Sequence, residues 1–157
     1  MVKSASIREQ RIKRAAMIEL RKYFENTRHG VHYIKKVTNK KDVGKNVQSK
    51  MVGIISGLRH EYLIKGTNYR IDLYDPFENI AYEIALGDGT EIFKDCIKAM
   101  LAKVEKLVIF CRDYPHASMS GYGYMKKQWR AMKDKLPLHV ELVNFMEKPP
   151  LKEIKNG

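Results

Sequence analysis

The stretch "YRIDLYDPFENIAYEIALGDG", from Tyr69 to Gly89, carries the strongest fold signal in this chain of 157 residues. It contains two short segments rich in β-branched and aromatic residues, and only residues 76–79 separate them. Connections this short join antiparallel neighbours. A third segment of the same kind, "LRHEYLIKG", comes before them, across the turn residues 66–68. The pattern therefore predicts a three-stranded antiparallel meander.

The segments after the meander predict a helix, a strand, a second helix and a last strand. "EIFKDCIKAMLAKVEK" carries apolar residues at helical spacing, in a stripe typical of a packing face. The stripe consists of Phe93, Ile97, Met100, Leu101 and Val104. "KLVIFC" is a continuous apolar run, as expected of a strand buried on both faces. "YMKKQWRAMKDKL" predicts a helix that packs through Met125, Trp129 and Met132, and "HVELVNFM" predicts an edge strand.

Two helices are predicted before the meander, each with an apolar residue at every fourth position. These positions are Ile12, Ala16, Leu20 and Phe24 in the first helix, and Val43, Val47, Met51 and Ile55 in the second. Gly57 is placed to end the second helix in the left-handed conformation. A break near residues 48–49 leaves open two short helices in a helix-turn-helix-like arrangement. "VHYIKKV" favours a short strand between the two helices.

These elements predict an α/β protein with a central mixed sheet flanked by helices on both faces. One domain is expected over residues 1–146, with a basic helical extension over 1–41 and a core over 42–146, followed by a flexible tail over 147–157. No apolar run is long enough for a membrane span and the N-terminus is not signal-like, so we expect a cytoplasmic, intracellular protein. Cys96 and Cys111 are predicted to be buried thiols.

Positive charge is concentrated in the front third of the chain. Residues 1–50 hold 14 Lys and Arg against 4 Asp and Glu, whereas the remaining residues hold 16 against 14. A localised positive surface favours a polyanion partner, most often nucleic acid, over a merely solvated helix or an anionic membrane. The predicted contacts to the nucleic-acid backbone are Arg8, Arg11, Lys13, Arg14, Lys40, Lys41, Lys45 and Lys50.

Carboxylates recur in the middle of the predicted strands. Alternation along a strand places Glu61, Asp72 and Glu83 on the same polar side of three neighbouring strands. Three like charges in one patch repel, unless a cation such as Mg²⁺ or Mn²⁺ lies among them. The alternative is a solvated outer face on which the acids balance Lys65 and Arg70. Periodicity alone leaves both interpretations open.

The order of helix, three antiparallel strands, helix and strand, with these acids in register, resembles the PD-(D/E)XK nuclease superfamily. That superfamily includes restriction endonucleases and archaeal Holliday-junction resolvases, and the resemblance runs from about Asp42 to Cys111. It implies that Asp72 and Glu83 bind Mg²⁺ or Mn²⁺ and that Glu61 assists them. It further implies a metal-dependent endonuclease that hydrolyses phosphodiester bonds in DNA.

The sequence departs from the superfamily pattern at two positions. Ile71 precedes Asp72 where the pattern has proline, and Ala85 occupies the position of the lysine that orients or deprotonates the attacking water. Some families of this kind carry the lysine on the following helix instead. Lys94, in the first turn of that helix, is the first choice and is predicted to be catalytic; Lys98 lies one turn on, and Lys65 of the first strand is the second choice.

Two further functions stay open beside the nuclease. One is a non-catalytic nucleic-acid-binding protein that keeps a degenerate nuclease fold. The other is a structural protein whose acids only balance nearby cations. The sequence leaves undecided whether the substrate is DNA or RNA, and whether the chain forms a homodimer.

Overall fold

The computed structural model describes residues 7–25, 40–55, 57–85, 89–111 and 121–144. Its helices are α1 (Ile7–Glu25), α2 (Lys40–Ile54), α3 (Glu91–Ala102) and α4 (Gly121–Met132). Its strands are β1 (Arg59–Leu63), β2 (Arg70–Asp75), β3 (Ile80–Ala85), β4 (Lys106–Cys111) and β5 (His139–Asn144). The predicted segments "VHYIKKV" and 147–157 lie outside the described residues. The contact pattern divides the described residues into two compact units.

The first unit contains α1 and α2, which pack against each other. The predicted apolar positions are confirmed where side chains are described: Ile12, Leu20, Val47 and Met51 are fully buried. Because α2 runs without interruption from Lys40 to Ile54, the two-helix alternative is wrong. The predicted boundary between extension and core, after residue 41, stays a prediction, and the contact pattern groups α2 with α1.

The second unit begins at Gly57, whose φ of 92° confirms the left-handed conformation expected after α2. It is built on a five-stranded mixed sheet in the order β1-β2-β3-β4-β5. β1, β2 and β3 are antiparallel neighbours, as the meander predicts. β3, β4 and β5 run parallel to one another, with α3 and α4 as the connections between them. The α/β class and the mixed sheet are therefore confirmed.

Both connecting helices lie on one face of this sheet. The buried cluster on that face joins Ala81 of β3 and Ile109 of β4 to Ile92 of α3 and Met125 of α4. Residues of β4 that point to the other face, such as Phe110, are fully buried as well. This confirms that "KLVIFC" is a strand buried on both faces.

The packing face predicted for α3 is wrong at three of its five positions. Phe93, Ile97 and Leu101 are 39%, 52% and 47% exposed, whereas Val104 is buried and Met100 packs against the core. The helix instead packs through Ile92, Cys96 and Ala99, with Asp95 and Lys98 buried beside them. The side of α3 that faces the sheet therefore carries two charged residues, which a prediction based on hydrophobicity places outside. The predicted face of α4, by contrast, is confirmed.

The turn between β2 and β3 sets the register of the hairpin. Asp75 is fully buried, and its Oδ1 accepts hydrogen bonds from the amides of Phe77 (2.9 Å) and Glu78 (3.4 Å). Asn79 takes a left-handed φ of 54°, which asparagine tolerates better than most residues. With the turn closed in this way, Asp75 pairs with Ile80 and Leu73 with Tyr82. The next residues along the two strands are Asp72 and Glu83.

Candidate active site

β2 and β3 lose their backbone ladder where the two predicted metal ligands lie. The paired register ends at Leu73 and Tyr82. Beyond it, the amide of Asp72 donates to Glu83 Oε1 at 3.2 Å, and the amide of Ile84 donates to Asp72 Oδ2 at 2.7 Å. Each carboxylate therefore accepts a hydrogen bond from a backbone amide, beyond the last paired residues of the two strands. The structure brings Asp72 and Glu83 together as a reciprocal pair.

Lys98 of α3 reaches this pair from the helix layer. Its Nζ lies 2.5 Å from Glu83 Oε2 and donates to the carbonyl oxygen of Arg70 at 2.8 Å. The Lys98 side chain is buried, as is that of Glu83. An ammonium group in such a place needs several oxygen partners, because losing water is costly for a charge. The contacts to Glu83 and Arg70 provide them.

Asp95, one helical turn before Lys98, is a site residue that the sequence prediction missed. Its Oδ1 lies 3.8 Å from Lys98 Nζ, and only 7% of the residue is exposed. A signal was present in the sequence: Ile92, Cys96 and Ala99 form an alternative stripe at helical spacing, and Asp95 lies within it. Choosing that stripe would have placed Asp95 and Lys98 over the sheet.

The buried acids of the site hold their protons more tightly than isolated side chains do. Burial raises the pKa of Asp95 to about 8, and the charge of Lys98 opposes this rise. Burial, followed by the charges of Asp95 and Asp72, raises the pKa of Glu83 well above its ordinary value. Burial also raises the pKa of Asp72, although the amide of Ile84 lowers it. At neutral pH the cluster therefore holds at least one extra proton.

The pKa of Lys98 is raised in the same environment. Burial by itself lowers the pKa of a lysine, because it disfavours the charged form. Here the carboxylate of Glu83, through its charge and its hydrogen bond, outweighs burial, and Asp95 and Asp72 add to the effect. Lys98 is therefore an ammonium group throughout the physiological range.

The other predicted site residues lie at different distances from this cluster. Glu61 of β1 has a left-handed φ of 51°, and its charge raises the pKa of Asp72. Lys94 is exposed on the outer side of α3 and makes no ion pair with an acid of the described residues. Lys65 lies beyond the end of β1, in the turn. The structure thus brings Lys98, rather than Lys94 or Lys65, to the carboxylates, because α3 packs through the side that carries Asp95.

The predicted nucleic-acid contacts of the front third all lie in the first unit. Arg11 and Lys45 are exposed, whereas Arg8, Lys13 and Arg14 are half-buried. Only the helical backbone is described at Lys40 and Lys41. Two of the cations face buried acids of α1. Lys13 Nζ lies 3.6 Å from Glu9 Oε1, and Lys50 Nζ lies 3.7 Å from Glu19 Oε2. The positive field of these helices is therefore partly neutralised from within.

The donor set is compatible with a divalent metal ion. Mg²⁺ prefers oxygen ligands, keeps several waters, and is often held by only one or two carboxylates. Asp72 is half-buried, and its Oδ2 accepts the amide of Ile84. Within the described ranges, no three His, Cys, Asp or Glu side chains form a metal-binding group. Asp72 and Glu83 are a pair of neighbouring carboxylates, and such a pair fits Mg²⁺ or Mn²⁺.

Comparisons with the profiles of known protein families, with curated proteins and with solved structures found no match to this chain. Among the described helices, none is both long enough and apolar enough to cross a membrane.

Proposed function

We propose that this protein is a metal-dependent nuclease that hydrolyses phosphodiester bonds in DNA, on a core of the PD-(D/E)XK type. The observation that carries the proposal is the contact of Lys98 with Glu83, beside the Asp72–Glu83 pair. Ala85 stands where the superfamily pattern has a lysine in β3. Lys98, from the helix that follows β3, supplies a lysine beside Glu83 instead. The order of strands and helices in the second unit supports the same core.

In this proposal Asp72 and Glu83 would hold the metal ion. Mg²⁺ or Mn²⁺ would supply a polarised water and would neutralise charge on the phosphoryl oxygens. The chain's own contribution is the fixed position of the two carboxylates. Their hydrogen bonds to the amides of Ile84 and Asp72 hold them in place before any ligand arrives.

Lys98 has an electrostatic role in this proposal. Because its pKa is raised, it carries its proton at neutral pH and does not act as a general base. An ammonium group beside Glu83 instead donates a hydrogen bond to the attacking water or to a phosphoryl oxygen, where negative charge develops. Asp95, with a pKa of about 8, is mostly protonated at pH 7. Glu83 is therefore the main ionic partner of Lys98.

A second candidate function is supported by the hydrogen bonds of the acids themselves. Asp72 and Glu83 complete the β2–β3 hairpin, and Lys98 neutralises Glu83, so the cluster has a structural use without any metal ion. A nucleic-acid-binding protein that has lost its chemistry would keep such a cluster to hold the fold.

A cleavage assay separates the two functions. Linear and branched DNA are incubated with Mg²⁺ or Mn²⁺ and the parent protein, Asp72→Asn, Glu83→Gln, Lys98→Met or Lys94→Met. We expect cleavage by the parent and by Lys94→Met, and a loss of about a hundredfold or more in the other three variants. Chelator should abolish cleavage. Calorimetric titration with Mn²⁺ should show binding to the parent that Asp72→Asn lacks.

Circular dichroism identifies any variant that fails to fold, and DNA binding is measured in the same samples. If the folded parent does not cleave DNA and all variants still bind it, the nuclease proposal is wrong and the non-catalytic nucleic-acid-binding protein is supported. Equal losses in Lys94→Met and Lys98→Met would contradict the assignment of Lys98.

A further inference from the structure

α4 and the turn after it carry a second concentration of positive charge, in the unit that holds the candidate site. Between residues 126 and 135 five Lys and Arg stand against one acid, Asp134, and all six are exposed. The cations are Lys126, Lys127, Arg130, Lys133 and Lys135. No acid of the described residues forms an ion pair with them. In this they differ from Lys13 and Lys50, which face buried glutamates.

The orientation of these cations is fixed by the opposite side of the helix. Met125 is fully buried, and Tyr122, Trp129 and Met132 pack against the core of the second unit. The ammonium of Lys126 lies 5.8 Å from the centre of the Tyr122 ring, a contact that favours a cation at this place. Lys127 and Arg130 therefore project from a rigid support.

We propose that α4 binds the phosphate backbone of duplex DNA. Lys126, Lys127 and Arg130 lie within about 6 Å along the helix axis. Since one strand of duplex DNA presents a phosphate about every 3.4 Å along its axis, this length of helix spans about two phosphates of that strand. Contacts of this kind position a duplex without reading its sequence.

The aromatic residues of α4 favour a duplex over other polyanions. Proteins that bind single strands stack bases on exposed rings, and the rings of Tyr122 and Trp129 are packed against the core. Insertion into an anionic membrane needs an unburied apolar face, and the apolar face of α4 is buried against the sheet. The charge and the burial pattern together point to a duplex backbone.

This inference rests on the proposed function in one respect, namely that the bound duplex is the molecule to be cut. A close contact also connects α4 to the candidate active site. Gly89, which lies between β3 and α3, is so close to Tyr124 of α4 that an added Cβ would overlap the ring. The beginning of α4 therefore lies against the segment that links Glu83 to Lys98.

The test compares two pairs of charge-removing substitutions in the full chain. Lys127→Gln with Arg130→Gln removes two cations from α4, and Arg59→Gln with Lys103→Asn removes two exposed cations elsewhere in the same unit. Asparagine suits position 103 because Lys103 has a left-handed φ of 56°. Binding of a fluorescent duplex is measured by anisotropy between about 50 and 200 mM salt, in chelator, so that metal-dependent cleavage does not occur.

We expect the α4 pair to weaken duplex binding at least tenfold at low salt. The slope of log affinity against log salt should fall in magnitude by about 2, since each lost phosphate contact removes about 0.9. The control pair should change affinity less than threefold and leave the slope unaltered. A single strand and vesicles of anionic phospholipid, tested in parallel, should bind the parent more weakly than the duplex.

Unchanged duplex binding by the α4 pair would overturn the inference, as would equal losses in both pairs or tighter binding of the single strand or vesicles. These outcomes are distinct from a failure of the proposed function. If the parent binds duplex through α4 but never cleaves it, the nuclease proposal is wrong and the binding surface on α4 stands. If the parent cleaves DNA and the α4 pair binds duplex as well as the parent does, only the binding surface on α4 is wrong.

Discussion

α3 and α4 cover the same face of one sheet, yet they are built in opposite ways. α4 buries Met125 and exposes its cations, as an amphipathic helix at a surface does. α3 exposes Phe93, Ile97 and Leu101 and buries Asp95 and Lys98. Of the two helices, α3 is the one whose charged residues meet the carboxylates of β2 and β3.

The two helices therefore differ in whether charged side chains are buried against the sheet. Burying Asp95 and Lys98 carries a desolvation cost that an apolar pair in the same place would not have. Placing the stripe of Phe93 and Ile97 inward would avoid this cost. The inverted arrangement of α3 is therefore the strongest structural support for a functional cluster beneath it, and substitutions in the two helices can test the contrast.

The largest effect is expected when the buried cation of α3 is removed. Lys98→Met leaves the carboxylate of Glu83 buried without its partner, and breaking a buried ion pair in this way costs about 3 to 5 kcal/mol. Lys127→Met on α4 is the matched control, because Lys127 is exposed, and it should change the free energy of unfolding by less than about 0.5 kcal/mol. Urea denaturation at pH 8 measures both changes.

The same comparison at pH 5 shows where the cost comes from. Glu83 can then neutralise itself by taking a proton, so the loss in Lys98→Met should be smaller than at pH 8. Equal stability of the two variants at pH 8 would mean that Lys98 is solvated in solution, and the contrast between the helices would disappear.

A smaller effect separates the two sides of α3. Ile92→Ala should lower the free energy of unfolding by about 2 kcal/mol or more, because Ile92 is fully buried in the cluster against the sheet. Ile97→Ala removes the same atoms from an exposed position and should cost less than about 0.5 kcal/mol. Thermal and urea unfolding measure both. A larger loss for Ile97→Ala than for Ile92→Ala would mean that α3 packs through the stripe that the sequence predicted.

Most of the fold could be predicted because its signals are local. The period-two segments around residues 66–68 and 76–79 predicted the meander, and the apolar run of β4 predicted that this strand is buried on both faces. The facing side of α3 could not be found in this way. Its two stripes, one with Phe93 and one with Ile92, have the same spacing, and hydrophobicity favours the wrong one.

The candidate site was predictable in part for the same reason. Asp72 and Glu83 follow from strand alternation, so their approach was foreseeable from the register. The choice between Lys94 and Lys98 depends on how α3 is rotated about its axis, which is a tertiary property. Asp95 lies within the alternative stripe, and the rotation of α3 is what places its Oδ1 3.8 Å from Lys98 Nζ.

The last effect is a trend with pH rather than a single difference, namely the pH dependence of stability through Asp95. The pKa of Asp95 is about 8 in the folded protein, against an ordinary value of 3.8, so the folded state binds more protons than the unfolded state between these pH values. The contribution of Asp95 to stability must therefore fall as pH rises from about 4 to 8, by at most about 1.4 kcal/mol per pH unit.

Asp95→Asn removes this dependence on pH and should gain stability relative to the parent over that range. Urea denaturation of both proteins at pH 5, 6.5 and 8 measures the gain, with exposed Asp134→Asn as the control that should follow the parent. If Asp95→Asn follows the parent as well, then Asp95 has an ordinary pKa in solution, and the buried side of α3 is more open to water than its packing against the sheet implies.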